Sequence, residues 1–176
     1  SLIIVTDVYT LIPAIHFDQD KAKDFLQLQH PVLTDASQVL YTYYKHADAM
    51  LIYAFDKQSI KAVQNIFQQI NIQHHLHQLI EEHQNITGEQ VSLWIRPEKI
   101  DCLASRGNNI QLFNSYPWQT EEDIIYHVLN ILHHLHFNHE TTKITIYRGN
   151  DIGTHPDNTL SNYIPLINIK NIPTDI

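Results

Sequence analysis

Histidine is the residue type whose number and spacing point most directly to chemistry in this sequence. The chain has 13 histidines, and two groups are dense, one at residues 74–83 and one at residues 133–139. Residues three apart on a helix share a face, so His74 with His77, or His133 with His136, would each supply two metal ligands. A zinc site needs three or four convergent ligands, and no HExxH motif occurs. We therefore predict exposed or hydrogen-bonded histidines and no metal site, and keep histidine-mediated metal binding as an alternative.

The possible nucleophile and the possible carboxylates also indicate structural roles. Cys102 is the only cysteine, which excludes an intrachain disulfide and fits a reducing compartment such as the cytoplasm. Its place in an alternating strand predicts a buried, inert thiol. Asp101 and the acidic residues 121–123 offer carboxylates, but those three follow Thr120 and are typical of the first turn of a helix. We predict no catalytic residue.

Composition limits the classes of protein to consider. The 176 residues are 43% hydrophobic and 17% charged, which predicts a folded core, and the net charge is -8 with neutral histidines. Because nucleic-acid binders need clustered Lys and Arg, we expect no nucleic-acid partner. No apolar run reaches the roughly 20 residues that span a bilayer. We expect a cytoplasmic protein.

Hydrophobic periodicity then predicts the elements that position these residues. The second half follows the order βββαβαβ, with its long helix beginning at Thr120 and its last strand at Ile164–Ile169. A three-strand meander followed by helix-crossed strands is the order of a ribonuclease-H-like half. The first half has the order strand, helix, hairpin, helix, strand, helix, as if its first two strands were missing. Two such halves, residues 1–88 and 89–176, predict an α/β protein of actin-like ATPase architecture whose first half lacks its N-terminal hairpin.

Tyrosines mark the predicted hairpin of the first half, whose strands are Gln38–Tyr44 and Ala49–Phe55. If Tyr41 and Tyr43 share an outward face, the hairpin is a candidate protein contact. Packing within the core or across the strands is the alternative.

Two stretches resemble a known family. TLIPAIHFD at Thr10–Asp18 and LFNSYPWQTEEDIIYHVLNIL at Leu112–Leu132 are similar to segments of an uncharacterised bacterial family, domain of unknown function 3822. The resemblance covers the chain from Leu2 to about Ile169. It implies an actin-like ATPase fold and no particular activity, and it implies a β-hairpin before Leu2 that this sequence does not contain.

The resemblance also says where nucleotide chemistry would lie. Actin-like ATPases hold phosphates with two Gly- and Asp-bearing hairpin turns. The first would precede Ser1. The second falls at Arg96–Lys99, where glycine is absent, Pro97 has no N–H and Glu98 would repel phosphate. A glycine pair under adenosine has Gly149 and Gly153 as its candidates.

We therefore predict no cofactor, with ATP and Mg²⁺ as the possibility to test. The leading function is a non-catalytic interaction or scaffold protein with a protein partner. The alternative is a nucleotide-binding ATPase or phosphotransferase of the actin-like superfamily.

Overall fold

The structure is a computed structural model of the 176-residue chain. It describes every residue except Ser1, Val32, Gln68, residues 150–152, Thr154 and residues 173–176, together with the side chain of Ile172. The described chain forms two compact units, Ser1–Gln78 and Leu79–Ile176. The predicted boundary between residues 88 and 89 concerns halves of the fold and stays a prediction. Across the described residues, no helix combines the length and apolar character that crossing a bilayer requires.

The helices and strands of the first unit are β1 (Leu2–Ile4), β2 (Tyr9–Pro13), α1 (Ala22–Gln29), β3 (Ser37–Tyr44), β4 (Ala49–Asp56), α2 (Lys57–Ile66), β5 (Ile72–His74) and the start of α3 (His77–Glu82). They form an antiparallel sheet with the strand order β2-β4-β3 and a separate parallel pair, β1 with β5. Strand β4 lies in the centre, and residues 49–54 are all buried. The predicted hairpin is therefore β3–β4, and β2 pairs with the other side of β4.

Local sequence explains where the helices of this unit begin. The Asp56 carboxylate accepts a hydrogen bond from the Ser59 N–H at 2.7 Å, which caps α2. The Asp18 carboxylate accepts from the Asp20 N–H at 3.0 Å and caps a single 3-10 turn, Gln19–Lys21, that leads into α1. Helix α1 then covers one face of the sheet, where Leu26 packs with Met50, Ile52 and Ala54.

The second unit has the predicted ribonuclease-H-like topology. Its elements are β6 (Glu89–Arg96), β7 (Lys99–Arg106), β8 (Asn109–Pro117), α4 (Glu121–Leu135), β9 (Lys143–Gly149), α5 (Pro156–Leu160) and β10 (Ile167–Ile172). The sheet has the strand order β10-β9-β6-β7-β8, in which β6, β7 and β8 form an antiparallel meander and β9 and β10 run parallel to β6. One face of the sheet packs under α4 in an apolar core that includes Val91, Leu93, Cys102, Val128 and Ile144.

Helix α4 begins as predicted and ends earlier than the histidine pattern suggested. Thr120 and Asp123 form a capping box, with the Asp123 carboxylate accepting from the Thr120 N–H at 2.9 Å. The helix ends at Leu135, because His136 adopts a left-handed conformation with φ of 54°. The Phe137 N–H then returns to the Leu132 carbonyl at 2.9 Å, which closes the end of the helix.

The last strand begins later than the predicted Ile164. Pro156 starts helix α5, since its missing N–H costs nothing in a first turn. The Ile164 N–H then donates to the Leu160 carbonyl at 2.9 Å, and the Ile164 side chain is fully buried in the core. Pro165 cannot donate to a ladder, so pairing with β9 begins at Ile167, opposite Ile144.

Candidate functional site

The β6–β7 turn is where a phosphate-binding turn of the second half would lie. Pro97 and Glu98 form the two-residue turn between the paired residues Arg96 and Lys99. Glu98 has a φ of 63°, so a non-glycine residue occupies the position that a turn of this shape favours for glycine. Pro97 offers no N–H, and the Glu98 side chain adds negative charge. One of the two turn residues therefore lacks a backbone donor, and the other carries a charge that repels phosphate.

Behind this turn lies a closed polar cluster. The guanidinium of Arg96 binds both carboxylate oxygens of Asp101, at 2.7 and 3.0 Å, and the Ser115 hydroxyl donates to the same carboxylate. The Arg96 and Asp101 side chains are 14% and 1% exposed. A bidentate guanidinium and a hydroxyl occupy the carboxylate, so Asp101 is placed to hold three strands together and not to act as a general base.

Trp118 closes the turn from the other side. Its indole N–H donates to the Arg96 carbonyl at 2.9 Å, and its backbone N–H donates to the Glu98 carbonyl at 3.0 Å. These bonds of Trp118 tie the strand-to-helix segment after β8 to the β6–β7 turn. We call Arg96, Asp101, Ser115 and Trp118, with the turn they surround, the closed turn.

The remaining candidates for acid, base or nucleophile chemistry are also in structural roles. Cys102 is fully buried in the core, and burial followed by the nearby Asp101 charge raises the pKa of its thiol well above the ordinary value. The pKa of Asp123 is lowered, because its carboxylate accepts from the N–H groups of Gln119 and Thr120. The Glu121 carboxylate accepts from the His155 N–H at 2.6 Å.

The predicted histidine pairs do not share helix faces, so the assumption that each pair lies on one helix is wrong. His74 is the last residue of β5, whereas His77 is the first of α3. The Leu76 N–H donates to His74 Nδ1 at 3.2 Å, so the neutral ring uses its other nitrogen on the Thr6 carbonyl, also at 3.2 Å. His133 is exposed on α4, and His136 lies beyond the end of that helix.

No group of three or more His, Cys, Asp or Glu residues converges in the described chain as a metal site would require. Two other histidines of the first cluster contact hydroxyl groups. His77 Nδ1 lies 2.9 Å from the Tyr44 hydroxyl, and His83 lies between the hydroxyls of Ser105 and Ser92 at 2.6 and 2.8 Å.

The glycine candidates lie at the end of β9 and shortly after it. Gly149 is the last residue of that strand, opposite Ile172. A Cβ atom at Gly153 would meet no atom of the described protein within 4 Å, so no neighbouring backbone or side chain there requires glycine. The residues between them, 150–152, lie outside the described residues. Nucleotide binding by these glycines stays a prediction.

A cavity of about 340 Å³ lies at the other end of the same strands. Gln90, Lys143, Thr145 and Asn168 line it, near the first residues of β6, β9 and β10. Ligands of open α/β sheets bind outside the carboxyl ends of the parallel strands. This cavity is at the amino ends, so it is not placed as a nucleotide site.

Strand β3 of the first unit is different, because aromatic side chains lie exposed along it. Tyr41 and Tyr43 share the face that α1 covers and are 41% and 51% exposed, whereas Tyr44 and Tyr53 are buried. The Phe17 ring packs against Tyr41, with centroids 4.9 Å apart. Tyr41 and Tyr43 therefore share an outward face, which was the condition for the predicted protein contact, while Tyr41 also packs against Phe17 within the chain. We call β3 together with Phe17 the aromatic edge.

The backbone of the aromatic edge is open on one side. In an antiparallel pair, alternate residues exchange hydrogen bonds with the neighbouring strand. The Lys57 N–H donates to the Ala36 carbonyl at 2.9 Å, one position beyond the pair of Ser37 and Asp56. The alternation directs the N–H and C=O groups of Val39, Tyr41 and Tyr43 away from β4.

Hydrogen bonds on the opposite side of β4 lead to the same assignment of outward backbone groups in β3. The Ala54 N–H donates to the Val8 carbonyl at 2.9 Å, and the Ala14 N–H donates to the Asp48 carbonyl at 2.8 Å. The backbone N–H and C=O groups of even-numbered β4 residues therefore point toward β2, and those of odd-numbered residues point toward β3. Within the described residues, β4 is the sole strand that pairs with β3. Sequence periodicity finds strands but not their neighbours, so this open edge was not predicted.

Comparison with known proteins identifies the family. The description "Protein of unknown function (DUF3822)" applies to a family that matches residues 1–167. The chain belongs to the DUF3822 family. This confirms the resemblance carried by the Thr10–Asp18 and Leu112–Leu132 segments. No curated protein matches the sequence of this DUF3822 chain.

Solved structures confirm the fold of the DUF3822 chain. A Bacteroides thetaiotaomicron VPI-5482 protein, described as having an actin-like ATPase fold and unknown function, matches with a TM-score of 0.81 at 20% identity. The match covers 96% of this chain and 66% of that one, slightly less than two thirds. The PilM-PilN type IV pilus biogenesis complex matches with a TM-score of 0.53 at 7% identity, over 97% of this chain and 69% of that one. The fold is an actin-like α/β architecture, and these identities support the fold alone.

Proposed function

We propose that this chain is a non-catalytic interaction or scaffold module that uses the aromatic edge as its contact surface. The observation that carries the proposal is the open side of β3, where outward backbone groups and exposed tyrosines occur on the same residues, Tyr41 and Tyr43. Strand addition supplies backbone hydrogen bonds from an edge of this kind, and tyrosine supplies apolar contact area with a polar tip. A protein partner fits both features.

The closed turn supports the non-catalytic part of the proposal. An actin-like ATPase needs a turn that presents N–H groups to phosphate, and here the turn carries Pro97 and Glu98. Behind the turn, the buried carboxylate of Asp101 is held by Arg96 and Ser115. These polar side chains make their contacts within the unit, which supports a scaffold role.

The structural neighbours suggest the kind of setting. PilM is described in a complex with PilN for type IV pilus biogenesis, and an actin-like fold that acts through a protein partner is what we propose here by analogy of fold. The single buried cysteine and the net charge of -8 fit a cytoplasmic protein with no nucleic-acid partner.

Affinity capture from the native cell tests the contact surface. The bait is the whole chain, and the test variants are Tyr41→Glu and Tyr43→Glu. The control is Tyr126→Glu, which makes the same change at a tyrosine that is 64% exposed on α4 of the other unit. We expect a partner that the wild type and the control retain and both β3 variants lose. Equal capture by all four proteins would contradict the aromatic edge as the contact surface.

A thermal shift assay with Mg-ATP tests the rival function. A ligand present at one hundred times its dissociation constant stabilises the folded state by about 2.7 kcal/mol. We expect no change in Tm at millimolar Mg-ATP. A concentration-dependent rise in Tm would favour the nucleotide-binding ATPase or phosphotransferase and would count against the non-catalytic assignment.

A further inference from the structure

The aromatic edge has the composition of a surface that pairs with itself. Strand β3 has the sequence SQVLYTYY, which contains no charged residue and no proline, and its register with β4 is uninterrupted. Natural edge strands commonly carry a lysine, a proline or a bulge that prevents pairing with another chain. Strand β3 has none of these three features, although the chain as a whole has a net charge of -8. Copies of such an acidic chain can approach one another most easily through an uncharged strip.

We propose that the occupant of the aromatic edge is a second copy of this chain, paired antiparallel to β3 about a two-fold axis at Tyr41. The inference rests on the proposed function and names its partner. The outward backbone groups of Val39, Tyr41 and Tyr43 fit this register, because Tyr41 faces Tyr41 of the second copy and Val39 faces Tyr43. A two-fold contact requires such a self-complementary strand.

The side chains fit the same axis. Tyr41 and Tyr43 are on one face of β3, so the pairing brings Tyr41 of each copy side by side, at the roughly 5.5 Å Cα spacing of a hydrogen-bonded pair. The Phe17 ring lies against Tyr41 in each copy and extends the aromatic contact. The two α1 helices would lie on the same face of a continuous sheet.

Charges at the ends of β3 complement each other in this register. Asp35 and Lys45 lie in the turns that precede and follow β3, so this register brings Lys45 of one copy close to Asp35 of the other. Both side chains are exposed, and Asp35 contacts Lys23 at 3.1 Å within its own chain. The two-fold axis creates this Lys45–Asp35 contact twice. A register shifted by two residues would lose it.

Sedimentation analysis of the whole chain at roughly micromolar to millimolar concentration tests the proposal. We expect a species of 20.6 kDa at low concentration and a species of twice that mass at high concentration. Tyr41→Lys and Tyr41→Glu each place like charges at the two-fold axis, so each alone should raise the dissociation constant roughly tenfold or more. An equimolar mixture of the two variants should recover the dimer. Tyr126→Lys is the matched control and should dimerise as the wild type does.

A second pair of variants changes only exposed residues and tests the register. Lys45→Glu should weaken the dimer, and Lys45→Glu combined with Asp35→Lys should restore it. Far-UV circular dichroism checks that every variant is folded. A wild type that stays at 20.6 kDa throughout, or a dimer that the Tyr41 variants leave unchanged, overturns the proposal. If the wild type is monomeric but Tyr41→Glu still loses a captured protein, the proposed function stands and a different partner occupies the edge.

Discussion

The closed turn and the aromatic edge are both parts of antiparallel hairpins, and they use their polar groups in opposite ways. At the closed turn, carbonyls of Arg96 and Glu98 accept from Trp118, and the Asp101 carboxylate is bound by Arg96 and Ser115. At the aromatic edge, the backbone groups of Tyr41 and Tyr43 point away from the sheet. Polar groups bonded within one unit stabilise it, whereas polar groups directed outward are available to a partner. The contacts of the first region stabilise its unit, and the second region is the surface that we propose for recognition.

The largest expected effect follows from breaking the closed turn. Asp101→Ala leaves the Arg96 guanidinium, which is 14% exposed, without its bidentate partner. Removing one member of a buried ion pair costs about 3–5 kcal/mol. Denaturant unfolding followed by tryptophan fluorescence measures this, since both tryptophans, Trp94 and Trp118, lie in the second unit.

Two further variants make that measurement specific. Lys23→Gln breaks the exposed Lys23–Asp35 pair of the first unit and should change stability little, as far-UV circular dichroism measures, because neither tryptophan lies in that unit. Arg96→Met combined with Asp101→Leu replaces the whole buried pair by apolar side chains, so it should be less destabilised than Asp101→Ala alone. A double variant that is less stable than the single one would show that the pair itself, and not the unpaired charge, determines stability.

A smaller effect is expected at Trp118. Trp118→Phe keeps the ring in place but removes the indole N–H that donates to the Arg96 carbonyl at 2.9 Å. Losing this hydrogen bond at a partly buried site should lower the free energy of unfolding by about 0.5–1.5 kcal/mol. Tyr126→Phe, at an exposed position, is the control and should change little. Equal stability of the wild type and Trp118→Phe would show that this bond does not hold the turn closed.

The sequence predicted the strands and the helix of both regions, but not which of their polar groups are bonded within the protein. Alternation and turn residues located β3, β4, β6 and β7, and the run after Thr120 located α4, because these signals are local. The pairing of Arg96 with Asp101 depends on strand register, since the residues face each other diagonally across β6 and β7. The open side of β3 depends on which strands are neighbours. The prediction that His133 and His136 share a helix face was wrong, because His136 leaves α4 in a left-handed conformation.

A third prediction concerns acid stability at the other end of the β6–β7 hairpin. Burial acts to raise the pKa of Glu89, but hydrogen bonds from the Asn138 N–H, Arg106 and Thr142 outweigh it and lower the pKa. A carboxyl whose pKa is lower in the folded state stabilises the fold above its unfolded pKa of about 4.3. That contribution is lost as the pH falls through the folded-state value.

Unfolding measured from pH 7 to pH 3 checks this sign. The wild type should lose stability at the acid end more steeply than Glu89→Gln, because the variant has no carboxylate to protonate. Glu122→Gln, at an exposed position on the first turn of α4, should follow the wild-type curve more closely. Parallel curves for the wild type and Glu89→Gln would remove Glu89 from the groups that link stability to pH.

The smallest expected effect sharpens the picture of the aromatic edge. The Tyr43 hydroxyl donates to the Asp48 carboxylate at 3.1 Å, and this hydrogen bond, with minor contributions from burial and the Asp48 charge, raises the pKa of Tyr43. Asp48→Asn should return that pKa toward 10, as an NMR titration of the tyrosine ring resonances would show. If pairing through β3 buries this hydroxyl, the titration of Tyr43 should also change with protein concentration. A Tyr43 titration that is the same at every concentration would mean that the second copy does not cover this end of the strand.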